Sequence, residues 1–416
     1  MNFDDTTEEA AFRARARDWL TTNAPVELWD ELSQSGFGHL DLRSVDSIAA
    51  ARAWQRKKFD AGWAMLHLSR EHGGAGATPI ERVIWAEEEG IFGKLGDPFL
   101  VASFMCAPTI VAWAAEAVKS ELLPRIATGE NVWCQLFSEP VAGSDLAGIR
   151  TKAVRDGRDW VVNGQKIWTT YARDADWGLL LTRTDSSVFK HRGLTMFVVD
   201  MKSFGVEVRP IWQMNEESVF NEVYFTDVRI PDAQRLGDVG QGWTVALTTL
   251  MNERMFVGGS MPTGVPQLLD LCSTIETTSG PAIDNPHVRS QLAKFAVKAR
   301  GLQYSAFRSL SALSRGEEPG PESSIIKLVA GQMMQDVARF ALDLQGEVGL
   351  VQDPAHAPDR ARFQEQLLRS PATRIEGGSD EILRNIIAER VLGLPADIRA
   401  DKNIPFDEIP TAATAR

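Results

Sequence analysis

The residues best suited to chemistry lie in two short segments, Trp133–Ala153 (WCQLFSEPVAGSDLAGIRTKA) and Lys166–Thr170 (KIWTT). In the first, Ser138, Gly143 and Ser144 combine small side chains with backbone N–H groups, which lets an anionic group approach the main chain, and Pro140 stiffens the turn. A surface turn joining two strands accounts for the same residues equally well. In the second, an alternating strand projects Trp168 and Thr170 to one face. A flat aromatic and a hydroxyl then lie side by side, suited to stacking on and hydrogen-bonding a planar heteroaromatic ring. Taken alone, such a tryptophan more often fills a core than walls a cofactor.

Other chemistries lack residues to carry them. The six histidines, His39, His67, His72, His191, His287 and His356, form no ligand spacing, and Cys106, Cys134 and Cys272 are too widely spread for a metal knuckle or a disulfide framework. No metal is expected, and three unpaired cysteines suit a reducing cytoplasm. No GxGxxG after a strand, P-loop or HExxH occurs, so a Rossmann cofactor, an NTPase and a zincin have no support.

Three stretches must position these segments. Residues 1–130 carry a helical period; in IERVIWAEEE, Ile80, Val83 and Ile84 share a face while Glu87, Glu88 and Glu89 face water. The first helix begins near Thr6 or Thr7, with Glu8 and Glu9 at its positive end and Phe12, Ala16 and Leu20 on one face. Over residues 131–240 the period falls to two and β-branched and aromatic residues gather, which predicts a β domain. Asn163-Gly164, flanked by Trp160–Val162 and Lys166–Trp168, predicts a type I′ hairpin turn. The helical period returns over 241–395, and 396–416 reads as a polar, proline-bearing tail, extended or frayed. Helices, one β segment, then helices give an α+β class with the sheet as a separate body.

At 416 residues the chain has the size of a two- or three-domain enzyme. Lys and Arg number 44 against 56 Asp and Glu, and the net charge of -12 repels phosphate backbones and anionic bilayers, so no nucleic acid is expected as partner. Apolar runs fall short of the roughly 20 residues of a membrane span, and the acidic N-terminus matches neither a signal nor a transit peptide. A cytoplasmic protein without a membrane span is the expectation. All twelve tryptophans lie at or before Trp243, which core filling or an upstream interface explains equally well.

In order, the SEPVAGSD turn, KIWTT, FNEVYFTDVRIP, GQGW leading into LMNERMFVGG, and GGSDEILRNIIAERVLGLP resemble the acyl-CoA dehydrogenase family, in a bacterial member, over nearly the whole chain. The resemblance implies an N-terminal α bundle, a central β barrel-like domain, a C-terminal four-helix bundle, bound FAD and a homo- or hetero-tetramer. It implies α,β-dehydrogenation of an acyl-CoA to a trans-2-enoyl-CoA, with an electron-transfer flavoprotein or similar acceptor as partner. Alternatives are an acyl-CoA oxidase and a non-catalytic partner subunit of a heteromeric enzyme.

Residue by residue, the resemblance places Ser138 at the flavin pyrimidine edge with Gln135, Phe137 and Gly143 on the same wall. It places Ser144 at the pyrophosphate and the acyl-CoA, Trp168 beside the isoalloxazine and Thr170 near N5. Ser379 and Glu381 match contacts to the ribityl and phosphate region, although either serves equally as a helix cap. The reaction needs one carboxylate base. Aligning EILRNI with the family puts Gly377 where many members carry that glutamate, so Glu376 stands one residue early, about 100° of helical rotation. Glu253 matches members whose base lies on the earlier helix, and there the later position is a small residue, as Gly377 is; Glu253 is therefore the favoured base over Glu376. A base at 253 should be desolvated and its pKa raised. Arg254 would help position substrate or act as a surface ion-pair partner. Glu276 replaces an arginine that grips FAD phosphates across the family's subunit interface; Arg289 is the candidate replacement, or a helix-surface charge. Gly346 and Gly349 retain the family's glycine loop, with Glu347 an added negative charge. These departures suit assembly with a different partner chain.

Overall fold

The structure, a computed structural model, describes residues 5–34, 39–260, 263–277, 280–315, 317, 320–321, 323–398, 401 and 403–410, with backbone only at 34, 254–260, 310 and 313–314. In chain order its helices are α1 (Thr7–Asn23), α2 (Trp29–Gln34), α3 (Ser47–Asp60), α4 (Pro79–Glu89), α5 (Ala107–Trp113), α6 (Glu116–Ala127), α7 (Gly242–Ser260), α8 (Val265–Thr274), α9 (Pro286–Ser314), α10 (Ser323–Gln345), α11 (Arg362–Thr373) and α12 (Asp380–Ile386). Between α6 and α7 run β1 (Trp133–Leu136), β2 (Lys152–Asp156), β3 (Asp159–Thr170), β4 (Trp177–Arg183), β5 (Leu194–Asp200), β6 (Val206–Pro210), β7 (Phe220–Pro231) and β8 (Arg235–Leu236). A two-stranded ladder, β9 (Glu276–Thr277) with β10 (Gly280–Pro281), follows α8. N-terminal helices, a central sheet and C-terminal helices make the chain α+β.

The chain divides into two compact units, one of residues Met1–Val26, Leu42–Glu253 and Asp397–Arg416, the other of Glu27–Asp41 and Arg254–Ala396. In the first unit, α1 starts as its sequence dictates. Thr6 Oγ1 accepts from the Glu9 N–H at 3.2 Å and Glu9 Oε2 accepts from the Thr6 N–H at 2.7 Å, a reciprocal cap worth about 1 kcal/mol. Phe12, Ala16 and Leu20 are buried along its inner face. Helix α4 repeats the device with Thr78 and Glu81 and buries Ile84 and Trp85.

Glu89 departs from its expected wet position. Buried, it accepts hydrogen bonds from the indoles of Trp54 and Trp85, each at 2.8 Å, and pairs with Lys58 at 2.9 Å. Trp63 and Trp85 stack at 4.6 Å, with Trp19 and Trp54 alongside, so these upstream tryptophans fill a core. A second layer of core joins Ala102, Cys106, Ile110, Leu122 and Ile126 of the helices to Trp133, Leu179, Leu181 and Val198 of the sheet.

Among the described residues eight strands form one sheet in the order β6-β7-β3-β2-β4-β5-β8, with β1 pairing parallel to β4. Asn163-Gly164 is not a hairpin turn: β3 runs through it and pairs with β2 on one side and β7 on the other. The dipeptide instead faces a bulge on β7: two residues of β3, Val162 to Gly164, span three of β7, Val228 to Phe225, with Asp227 at φ 50° and Gly164 at φ 154°. A Cβ at Gly164 would come within 2.6 Å of the Thr151 Cα, so this close strand crossing requires glycine. The actual two-residue turn lies at Gly157-Arg158, between paired Asp156 and Asp159, with Gly157 at φ 63°.

In the second unit, α8, α9, α10 and α11 bury Leu268, Leu271, Cys272, Val288, Leu292, Phe295, Met333, Val337, Ala341 and Phe363 in one core. Among the described residues no single helix is long and apolar enough to cross a membrane; the apolar pair Pro79–Phe99 and Val101–Trp113 is bent by 72° and feeds Phe99, Ala102, Cys106 and Ile110 into the first unit's interior.

Candidate active site

In the first unit, β1 delivers Gln135 half-buried and Phe137 buried into a tight loop, where Glu139 and Ala142 exchange backbone hydrogen bonds at 3.0 Å each. A fully buried lysine fastens that loop to β3. Lys166 Nζ donates to the Phe137 carbonyl at 3.0 Å and to Glu139 Oε1 at 2.8 Å, and Glu139 also accepts from the N–H groups of Arg150 at 2.6 Å and Thr151 at 2.9 Å. Burial pushes the Lys166 ammonium down to about 8 against the opposing pull of Glu139. Burial works to raise the Glu139 carboxyl as well, but Lys166 and the two N–H donors outweigh it and hold the group below its ordinary value.

The same fastening sets Ser138 beside the aromatic strand, because the Ile167 N–H donates to the Ser138 carbonyl at 2.9 Å. The next residue, Trp168, does not follow regular alternation. β3 spends three residues from Lys166 to Thr169 against two on β7, Val223 to Asn221, and Trp168 absorbs the difference at φ 60°. The bulge leaves Lys166 and Thr169 inside and turns the indole outward, 57% exposed. Its ring meets Phe220 edge-on at 5.9 Å, and Phe220 is the cross-strand partner of half-buried Thr170. Trp168 and Thr170 are thus brought together, by an irregular strand rather than a regular one.

Gly143 and Ser144 lie on the exposed rim of this loop, and a Cβ at Gly143 would meet nothing within 4 Å. Behind the rim, Arg183 is buried and donates to the carbonyls of Ala147 at 2.5 Å, Ile149 at 3.0 Å and Lys190 at 3.1 Å. Burial lowers its guanidinium to about 10. The arrangement offers a flat aromatic face beside open main chain on a frame held by interior charges. Gln135, Phe137, Ser138, Gly143, Ser144, Trp168 and Thr170 share one frame, whose makers, Lys166, Glu139 and Arg183, sequence reasoning missed. Their signal was faint: charged residues interrupting apolar strands.

Glu253 ends the first unit, half-buried on α7. That helix is tied within the unit by two hydroxyls: buried Thr249 shares a hydrogen bond with Thr109 at 2.9 Å, and half-buried Thr248 accepts from the Trp113 indole at 3.0 Å. Arg254 continues the helix, and its side chain lies outside the described residues.

The remaining predicted residues belong to the second unit. Glu376 follows α11, and Arg369 Nη2 reaches both of its carboxylate oxygens at 2.9 Å. Gly377 adopts φ 62° and Gly378 φ 100°, and the Gly378 carbonyl accepts from Lys327 Nζ at 2.6 Å. Ser379 caps α12, its hydroxyl accepting from the Ile382 N–H at 3.4 Å, and exposed Glu381 is held below its ordinary pKa by its own backbone N–H and by Ser379. Arg374 and buried Asp380 close the turn at 2.6 Å. Gly346 adopts φ 60° on an exposed turn, and Arg289, Glu276 and Glu347 are all exposed.

Comparison with known proteins gives a consistent pattern. Three family models match end to end: acyl-CoA dehydrogenase N-terminal domain over residues 5–130, middle domain over 134–228 and C-terminal domain over 240–392. The acyl-CoA dehydrogenase IpdE1 of Mycobacterium tuberculosis is 34% identical over 392 residues, 93% of this chain and 98% of that protein. The acyl-CoA dehydrogenase FadE26 of the same organism is 32% identical over 409 residues, 95% of this chain and 99% of that one. The crystal structure of the ChsE4-ChsE5 complex from Mycobacterium tuberculosis includes a chain 28% identical to this one, with a TM-score of 0.78 over 95% of this chain and 100% of that one.

Proposed function

This chain belongs to the acyl-CoA dehydrogenase family, and from that premise we propose that it converts a particular acyl-CoA thioester to its trans-2-enoyl-CoA with FAD as cofactor and Glu253 as base. The residues present suit that cofactor. Trp168 supplies an exposed aromatic face, Ser138 and Thr170 supply hydroxyl groups, and Gln135 and Phe137 complete the wall. The exposed rim at Gly143 and Ser144 suits a pyrophosphate, and Ser144 is also the proposed contact to the acyl-CoA. When bound, FAD supplies the acceptor for the hydride that leaves the β carbon.

The chain's own part is to place the thioester and to take a proton. A Glu253 carboxylate oxygen accepts the α proton, while Arg254 helps orient the substrate and Gly377, lacking a side chain, leaves the later position open. Glu376 serves poorly as the base, because Arg369 occupies both of its oxygens. The family resemblance assigns Ser379, Glu381, Arg289 and Gly346, all of the second unit, to a cofactor's polar contacts, and an electron-transfer flavoprotein is the proposed acceptor of electrons. The observation that carries this reading is the exposed Trp168, turned outward by a bulge beside a loop anchored by a buried ion pair.

A second reading has this chain working in a heteromer. Exposed Glu276, acidic where the family carries a phosphate-gripping arginine, and exposed Glu347, an added negative charge in the glycine loop, favour it, as does the likeness to a chain of a two-component complex. Purified chain, alone and co-expressed with candidate partners, should absorb at about 450 nm, as oxidised flavin does. Anaerobic addition of an acyl-CoA series should bleach that band with an equivalent of enoyl-CoA formed. A flavin-free chain in every combination, or bleaching by no acyl-CoA, overturns the reading.

A further inference from the structure

The tail is expected from sequence to be extended or frayed, yet within the first unit its described residues 401 and 403–410 pack against the framework behind the Gly143–Asp145 rim. The Phe406 N–H donates to the Val188 carbonyl at 3.0 Å, the Asp407 N–H donates to the Ser186 carbonyl at 3.1 Å, and Pro405 bridges to Phe189. Two side chains then reach the charges that hold the rim. The Phe406 ring covers Arg183, with the guanidinium carbon 3.5 Å from its centroid, and Arg150 approaches the same ring at 5.7 Å. Asp401 pairs with Lys190, whose Nζ also holds both oxygens of Asp145 at 2.8 and 3.0 Å.

Resting on the flavin reading above, we propose that Phe406 and Asp401 are positioning residues for the cofactor loop, acting through Arg183 and Lys190. Among the described residues Arg183 has no carboxylate within ion-pairing distance; its direct partners are three carbonyls and the face of the Phe406 ring, with Glu139, Asp145 and Asp185 acting at longer range. Two of those carbonyls, from Ala147 and Ile149, belong to the segment that leads out of the rim. Without the ring, water competes for the guanidinium and its grip on that segment loosens. Asp401 acts on the other end. By sharing Lys190 with Asp145 it fixes the ammonium between two carboxylates, so the side chain that closes the SEPVAGSD turn has a stationary partner. The tail thereby acts as a strap at the back of the loop, touching neither cofactor nor substrate.

Full-length Phe406→Leu, Phe406→Tyr and Asp401→Asn separate this role from packing, because leucine keeps apolar bulk without a π face and tyrosine keeps the face. Amide hydrogen exchange of the FAD-free chain over residues 143–150 should quicken about tenfold in Phe406→Leu and in Asp401→Asn, a change in local opening equivalent to about 1.4 kcal/mol. Phe406→Tyr should exchange as the unaltered chain does. In FAD titrations the two loosened variants should bind about tenfold more weakly, with kcat at saturating FAD unchanged. Exchange confined to residues 401–410, with 143–150 unaffected, overturns the proposal, as does faster exchange with an unchanged FAD affinity. If the unaltered chain binds no FAD while the exchange pattern holds, the strap stands and the flavin reading falls.

Discussion

The loop at Phe137–Asp145 and the turn at Arg374–Ser379 both carry predicted site residues on short irregular backbone, but they are held in different ways. In the first, the ion pair doing the holding, Lys166 with Glu139, has side chains 0% and 4% exposed, and the residues offered to a ligand are uncharged. In the second, the carboxylate itself is held: Glu376 is 38% exposed and grips Arg369. A carboxylate spent on an ion pair is a structural group. The difference teaches that at the Phe137–Asp145 loop buried charge forms the frame and uncharged surface faces outward, whereas at the later turn the charge itself lies at the surface.

The sharpest test of that contrast is removal of one charge from each. Lys166→Met strands Glu139 in the interior and should cost about 3–5 kcal/mol by denaturant unfolding. Arg374→Met removes the half-exposed partner of buried Asp380, whose carboxylate has no other side-chain partner among the described residues, and should cost about 2 kcal/mol. Glu376→Gln, at a partly exposed pair, should cost less than about 1 kcal/mol. A Glu376 effect as large as that of Lys166 would erase the distinction.

Acid sharpens the comparison further. The folded-state pKa of Glu139 is depressed, so its contribution to stability is full above its unfolded value near 4.5 and is lost as pH falls through the lower folded value. Stability should therefore decline below about pH 4.5, and Glu139→Gln should flatten that decline. An unchanged acid limb in the variant would place the sensitive carboxylates elsewhere. Smallest in stability is Trp168→Ala, expected within about 0.5 kcal/mol because the indole is already in water. The same variant should weaken FAD binding about tenfold if that ring is a cofactor wall. A large loss of stability would make Trp168 a packing residue.

Local signals were readable in the sequence. Thr6 and Glu9 cap α1, with Phe12, Ala16 and Leu20 buried, because caps and helical faces depend on neighbours three or four residues away. Asn163-Gly164 is not a turn because strand pairing on both sides of β3 overrides its turn preference, while the chain reverses at Gly157-Arg158. Glu89 and Lys166 were misplaced or overlooked for a common reason. A charge is buried only when a distant partner meets it, and Lys58 lies 31 residues from Glu89 as Glu139 lies 27 from Lys166. The Trp168 bulge was equally hidden, since alternation alone gives no sign of an extra residue. The site's uncharged face was legible through its motifs; the frame behind it was not.

The most direct test is solvent deuterium exchange at the α carbon of a bound acyl-CoA, followed in Glu253→Gln and Glu376→Gln proteins. Exchange should fall by about 10²–10⁴-fold in Glu253→Gln and stay close to the unaltered rate in Glu376→Gln. Exchange that survives in Glu253→Gln and disappears in Glu376→Gln would assign the base to the later turn and contradict the division of roles drawn between the two regions.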